Sequence, residues 1–439
     1  MWLEEWVRNK IQGEIESFQL FRLRRTLSLA YEKSAFYGNL FQQKGFKPED
    51  LQSLGDMVKV PFTEPANLAQ SPYKFLCTPL GEVARIFTLA TSGTTGLPKK
   101  VFFTEGDLEV VTDHMGAVIK TTILSGGLNP GECVVHIFLP NRAPLDQADL
   151  VAKATQKIGS LPVIGDTTAS TEEQIETIKR VKPTILMGSF YRIYRITQEA
   201  RLSYNIGEWG VKILFITSEY VSRSARERME SCWKAEVYHH YGMTEMGLSA
   251  AIECQAHDGF HINEADFLFE VIDPATGEVL KEGEKGEIVF TTLSREGMPL
   301  IRYRTGDIAR LIHQPCQCGA STLRVGKIVR RVGGIARIGR GEIYPSLFDD
   351  ALYEIPELID YRIFLSKEGE RDGLTCKAEV AREKGVEEGL LEAILNLPPI
   401  KESIEADLMT QPKIELVKLG ELRRRERGKQ RIMKEQNSR

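Results

Sequence analysis

Residues 211–239 read VKILFITSEYVSRSARERMESCWKAEVYH. The apolar run Val211–Thr217 has the length and β-branched content of a buried strand. Ser218-Glu219-Tyr220 interrupts it. Ser222–Lys234 then reads as an amphipathic helix. A second short strand, Glu236–His239, follows. Strand, turn, helix and strand in so short a stretch form the repeating unit of a sheet covered by helices.

The same alternation extends upstream. The sequence predicts a helix over Glu105–Leu124, a strand over Cys133–Leu139 and a helix near Leu145–Lys157. Strand Leu161–Ile164, helix Thr171–Arg180, strand Thr184–Met187 and helix Tyr191–Ala200 complete the run. In such sheets, ligands sit at the loops that follow the strand ends. Before this region, Gln12–Tyr37 reads as one amphipathic helix, and Pro61-Phe62-Thr63 and Ser71-Pro72 read as loops. After it, Phe267–Ile272 and Gly286–Thr292 are strands joined through the turn Asp273–Gly277. The tail predicts helices at Ser346–Glu354 and Val386–Asn396 and strands at Tyr361–Leu365, Leu374–Val380 and Ile414–Leu419.

The expectation is therefore an α/β fold. A large N-terminal domain, residues 1–325, holds helix-covered mixed or parallel sheets, and a small mobile α+β domain spans 326–439. Single cores stop growing well below 439 residues, which supports a split. The 57 Lys+Arg against 61 Asp+Glu leave a net charge of −4, so a dedicated nucleic-acid binder is not expected. Acidic residues Glu4, Glu5, Glu14 and Glu16 interrupt the start, and no apolar run is long enough to span a bilayer. A cytoplasmic protein with reduced thiols and no membrane partner is the expectation.

Thr91-Ser92-Gly93-Thr94-Thr95-Gly96-Leu97-Pro98-Lys99 is the most informative loop. Its glycines let backbone N–H groups turn toward an anion, and its hydroxyls and lysine can donate to phosphate oxygens. It is not a Walker A loop, because Pro98 stands where that pattern needs glycine. Seven cysteines and seven histidines occur in the chain, and six of these fourteen lie between Cys254 and Cys318. Cys316 and Cys318 offer two thiolates from one turn. They are read either as completing a tetrahedral zinc set with Cys254 and His261, His257 and His313 being alternative ligands, or as ordinary buried or surface cysteines.

These motifs together resemble the adenylate-forming enzymes, and within them the phenylacetate–coenzyme A ligases. Ser34–Tyr37, Pro61–Thr63, Ser92–Gly96, Tyr241-Gly242-Met243-Thr244-Glu245, Pro299–Asp307 and Gly428-Lys429 match in order from about Tyr31 to Lys434. The resemblance implies that a carboxylate attacks the α-phosphate of ATP, pyrophosphate leaves, and a thiol captures the acyl-adenylate. It assigns Ser92, Gly93, Thr94, Thr95, Gly96 and Lys99 to the leaving phosphates and Thr244 to the α-phosphate. Glu245 would hold Mg²⁺ and Asp307 the ribose hydroxyls. Ser218, Glu219 and Tyr220 form the adenine turn, Tyr241 stacks on the base, and Lys429, from the small domain, bridges carboxylate and phosphate. Relatives with a Cys-x-Cys-Gly turn look as if they bind zinc.

The hinge departs from the family pattern: Lys327 replaces an arginine and Val329 an aspartate. Lys327 keeps the charge and stays among the expected nucleotide-binding residues, but it lacks bidentate geometry. The favoured reading is an AMP-forming ligase joining an aryl or similar hydrophobic acid to coenzyme A. Its partners are the small-molecule acid, ATP and CoA, and a homodimer is compatible with it. A second reading has another acceptor, either a carrier-protein thiol or a cofactor hydroxyl taking the adenylyl group. A third is a zinc-stabilised binding module that uses Arg423–Arg431. His239 or His240 is read as facing the nucleotide or as an ordinary core histidine. Ser189–Tyr194 lines an acyl pocket or belongs to the core.

Overall fold

The amphipathic pattern that starts at Gln12 forms two helices, α1 (Gln12–Lys33) and α2 (Ala35–Lys44), and not the single helix expected to Tyr37. The break is at Ser34. Its backbone is extended (φ −87°, ψ 118°), and its hydroxyl accepts from the Tyr37 N–H. A serine that can cap a new helix competes with continuation of the old one.

A computed structural model describes residues 12–89, 98–422 and 431–434. Next in chain order come α3 (Pro65–Gln70), β1 (Val83–Leu89), β2 (Lys99–Thr104), α4 (Glu105–Ser125), β3 (Val134–Phe138), α5 (Gln147–Lys157) and β4 (Leu161–Ile164). Then follow α6 (Thr171–Val181), β5 (Ile185–Ser189), α7 (Phe190–Ala200), β6 (Ile213–Thr217), α8 (Arg223–Trp233) and β7 (Glu236–Tyr241). Short strands β8 (Ala251–Ile252) and β9 (Phe260–Ile262) precede β10 (Phe267–Ile272), β11 (Gly286–Thr292) and β12 (Tyr303–Ala309). The remainder is β13 (Leu311–Ile312), β14 (Arg324–Val325), β15 (Arg330–Arg331), β16 (Ala336–Ile338), β17 (Gly341–Ile343), α9 (Pro345–Leu352), β18 (Leu358–Glu368), β19 (Arg371–Val380), α10 (Val386–Leu395), α11 (Pro398–Glu405), β20 (Lys413–Val417) and β21 (Ile432–Lys434). The α/β reading holds, with helices flanking mixed sheets.

Contacts divide the chain into two units, Met1–Thr167 with Tyr238–Ile328, and Thr168–Val237 with Val329–Arg439. In the first, β3 and β4 are parallel, β1 and β2 antiparallel, and β10–β11–β12 form an antiparallel sheet. Every residue of β11 is buried, as befits a strand flanked on both edges. Here β8 pairs antiparallel with both β7 and β9, and β14 pairs with β9 and β13. In the second unit β5 and β6 are parallel. Strand β18 pairs antiparallel with β19 and parallel with β21, and β20 runs parallel to β19. Among the described residues, no helix is long and apolar enough to cross a membrane.

Candidate active site

Strand β7 delivers the most constrained motif. Its last residue, Tyr241, is buried, and its hydroxyl donates to Asp307 Oδ2 at 2.9 Å. A Cβ on Gly242 would strike the Leu248 carbonyl oxygen, so only glycine lets the chain turn back there. Thr244–Met246 then forms a single 3-10 turn closed by Gly247 in the left-handed region (φ 85°). This turn presents Thr244 half-buried and Glu245 buried.

Glu245 is the electrostatic centre of the turn. Its Oε1 forms an ion pair with Lys99 Nζ, from the start of β2, and accepts from the Tyr303 hydroxyl at 3.1 Å. The Lys99 ammonium also donates to that hydroxyl at 3.2 Å. Burial pushes the Glu245 carboxyl up, but the Lys99 ammonium more than offsets it, so the group sits below the usual range and is ionised. Arg295 donates to the Glu245 carbonyl oxygen at 2.6 Å, and burial lowers its guanidinium to about 10.

Three motifs matched in sequence, two of them without an assigned task, meet at one hydroxyl. Tyr37 Oη accepts from Ile301 N–H at 2.9 Å and lies 3.0 Å from Thr63 Oγ1, which itself donates to the Ile301 carbonyl at 2.6 Å. Arg302 holds a left-handed backbone (φ 45°), lies 4.0 Å over the Phe62 ring and donates a bidentate pair to Glu270 at 3.0 and 2.9 Å. Pro299–Asp307 is thereby clamped to Pro61–Thr63 upstream of the residues that present Tyr303 and Asp307. Tyr303 and Arg295 were missed as site residues. Tyr303 lies inside a quoted motif, whereas Arg295 carries no signal beyond its position four residues before it.

The expected adenine turn follows β6 in the second unit. Ser218 is exposed and left-handed (φ 77°), an uncommon conformation for a residue with a Cβ. Glu219 Oε2 accepts from the Tyr191 N–H at 2.8 Å, at the start of α7. The Tyr220 hydroxyl donates to Asp350, with oxygens at 2.9 and 2.8 Å. Phe190 and Tyr194 are fully buried core residues, and His240 is buried, which pushes its imidazole down to about 3. Lys327 is exposed. Ser92, Gly93, Thr94, Thr95, Gly96 and Lys429 lie outside the described residues.

A second cluster sits where β8, β9 and β14 pair. Cys254 follows β8, His261 lies in β9, and the Cys316–Gly319 turn separates β13 from β14. The ligand atoms of Cys254, His261, Cys316 and Cys318 all lie within 4.8 Å of one another. Cys254 Sγ is 3.5 Å from Cys316 Sγ, and Cys318 Sγ is 3.4 Å from His261 Nε2. Thr322 Oγ1, 2.9 Å from His261 Nδ1, orients the ring so that Nε2 faces the sulfurs. The alternative ligands point elsewhere: His257 pairs with Glu253 and His313 with Glu282, each at 3.3 Å.

A buried carboxylate held by a lysine, and a buried aspartate held by a tyrosine, stand on the motifs of one known family. A family model described as AMP-binding enzyme matches residues 56–294, and one described as AMP-binding enzyme C-terminal domain matches 341–436. Phenylacetate-coenzyme A ligase of Aromatoleum evansii is 34% identical over 390 residues, covering 87% of this chain and 85% of that protein. The same enzyme from Thermus thermophilus is 30% identical over 432 residues, covering 95% of each. The chain belongs to the AMP-binding enzymes, among the phenylacetate–coenzyme A ligases. For this AMP-binding enzyme, 2-hydroxyisobutyryl-CoA ligase in its postadenylation state is a structural neighbour. Its TM-score is 0.82 at 22% identity, covering 98% of this chain and 91% of that one, and this likeness concerns the fold.

Proposed function

We propose that this AMP-binding enzyme activates a carboxylic acid with ATP and passes it to coenzyme A, the acid being aryl or similarly hydrophobic. The ionised, buried Glu245 beside Lys99 is the observation that carries the reading. In the first step an acid oxygen attacks the α-phosphorus and the bond to pyrophosphate breaks. In the second, the CoA sulfur attacks the acyl carbonyl, and AMP leaves as the thioester forms.

Each residue has a task in that scheme. Lys99 and the Ser92–Gly96 loop hold the departing phosphates, and Thr244 donates to the α-phosphate. Asp307, held by the Tyr241 hydroxyl, accepts from the ribose hydroxyls. Ser218, Glu219 and Tyr220 border the adenine, and Lys327 contributes charge from the hinge. Lys429 neutralises charge that grows between carboxylate and phosphate, an effect on the order of several kcal/mol. Glu245 fits Mg²⁺: it is an anionic oxygen donor, and its side-chain contacts with Lys99 and Tyr303 both use Oε1. Bound there, the ion would screen phosphate charge.

Cys254, His261, Cys316 and Cys318 fit zinc, whose structural sites favour this S₃N set. Four protein ligands leave no open position, so the role is structural. Elemental analysis should find close to one zinc per chain and much less in Cys316→Ser. The boundary near residue 325 separates a large domain from a small one that brings Lys429, in a cytoplasmic setting. Val329 in the hinge favours the second reading, a different acceptor.

Pyrophosphate exchange tests the first step. Lys429→Ala should lower it about tenfold or more, and unchanged exchange would remove the lysine's assignment. Thioester formation with CoA across a panel of acids separates the two acceptors.

A further inference from the structure

The turn that presents Thr244 and Glu245 is the loop of a hairpin with unequal arms. The outgoing arm, β7, is 6 residues long, whereas the returning arm, β8, has only Ala251 and Ile252. Ala251 faces Tyr241 and Ile252 faces His240. On the other edge the same two residues face Ile262 and His261 of β9. So short a strand has little hold of its own, since isolated hairpins are marginal in water.

Beyond β8 the chain enters the cysteine–histidine cluster almost at once. Three backbone steps, at most about 11 Å, separate Ala251 from Cys254. The intervening Glu253 ties this stretch to β7: its N–H donates to the His239 carbonyl at 3.0 Å, and its carboxylate accepts from His239 N–H at 3.0 Å. The cluster takes His261 from the neighbouring strand β9, and Cys316 and Cys318 from the turn before β14. Backbone amides turn toward two of the sulfurs. Ala256 N–H donates to Cys254 Sγ at 3.4 Å and Ala320 N–H to Cys318 Sγ at 3.5 Å. Bonds of this kind favour the thiolate, the form that ligates metal.

A metal that joins Cys254 to Cys316, 62 residues on, closes a long loop and restrains the returning arm where its ladder ends. We propose that the Cys254, His261, Cys316 and Cys318 set, with zinc bound, positions the Tyr241–Glu245 hairpin. It holds the returning arm so that the Tyr241 hydroxyl meets Asp307 and Glu245 meets Lys99 and Tyr303. The proposal rests on the zinc reading above, and it links that metal to nucleotide binding without any contact between the two.

Removing zinc from the wild-type protein with a chelator should make the amides of Ala250 and Glu253 exchange with deuterium about tenfold or more faster. Amides of β11, in a sheet that carries no ligand of the metal, should change by less than about twofold. KM for ATP should rise about tenfold while kcat falls by less than about threefold, and added zinc should restore both. Cys318→Ser, outside the hairpin, should open the same amides, because the metal and not one residue holds the arm. If that variant does not fold, chelation of the wild-type protein decides alone. Unchanged exchange at Ala250 and Glu253, or an unchanged KM for ATP, would overturn the proposal. Exchange rising equally in β11 would do so too, since that is what a merely structural metal gives. Elemental analysis alongside keeps the cases apart. If the protein holds no zinc even when zinc is supplied, the zinc reading fails; if it holds zinc whose removal leaves the hairpin and KM unmoved, only the positioning role fails.

Discussion

Two turns, each at the end of a strand, carry neighbouring parts of the same family pattern and use their side chains differently. After β7, Tyr241 and Glu245 bond to other residues of the motif set, Asp307, Lys99 and Tyr303. After β6, Glu219 caps the start of α7 and Tyr220 bonds to Asp350. The first turn is assembled from side chains of the shared motifs. In the second, the side chains serve the scaffold, which leaves the left-handed backbone at Ser218 as its distinctive feature. A shared motif thus marks where a turn falls in the fold without saying which partners its side chains take.

Substitutions can break this contrast. The largest effect is expected from Glu245→Gln, which removes the buried charge opposite Lys99 and should lower pyrophosphate exchange about a hundredfold. Tyr241→Phe deletes only the hydroxyl on Asp307 and should raise KM for ATP about tenfold, with little change in melting temperature. Glu219→Ala should show the reverse: loss of a helix cap costs about 1 kcal/mol in denaturant unfolding, while KM for ATP stays within about twofold. A rise in KM for Glu219→Ala comparable to that of Tyr241→Phe would erase the distinction between the turns.

Strands with strong apolar runs were legible. Phe267–Ile272 and Gly286–Thr292 occur with the bounds that their alternation and turn residues suggest. Ser34 was read as mid-helix because its neighbours suit a helix, and only its bond to Tyr37 N–H reveals the cap. Helix α11 begins with Pro398 at its first position, a start signal left unread beside the second proline. The meeting of Cys254, His261, Cys316 and Cys318 was legible because the cysteines and histidines are concentrated in one short window of the sequence. The tasks of Tyr37, Thr63, Arg295 and Tyr303 were not, since each depends on partners far away in sequence, and local pattern contains no record of those meetings.

The Tyr37 hydroxyl has a consequence for biosynthesis. Its partner Ile301 lies 264 residues downstream, so the helices at the start of the chain cannot complete their seat until most of the protein has left the ribosome. At about 5–20 residues per second that interval is roughly ten seconds to a minute. Through it Phe36 and Tyr37 can already pack on Phe75, and Phe41 on Phe46, but the Tyr37 hydroxyl lacks its Ile301 partner. A nascent chain halted before residue 301 should therefore be cut by protease within its first forty or so residues, and the released full-length chain should resist cleavage there.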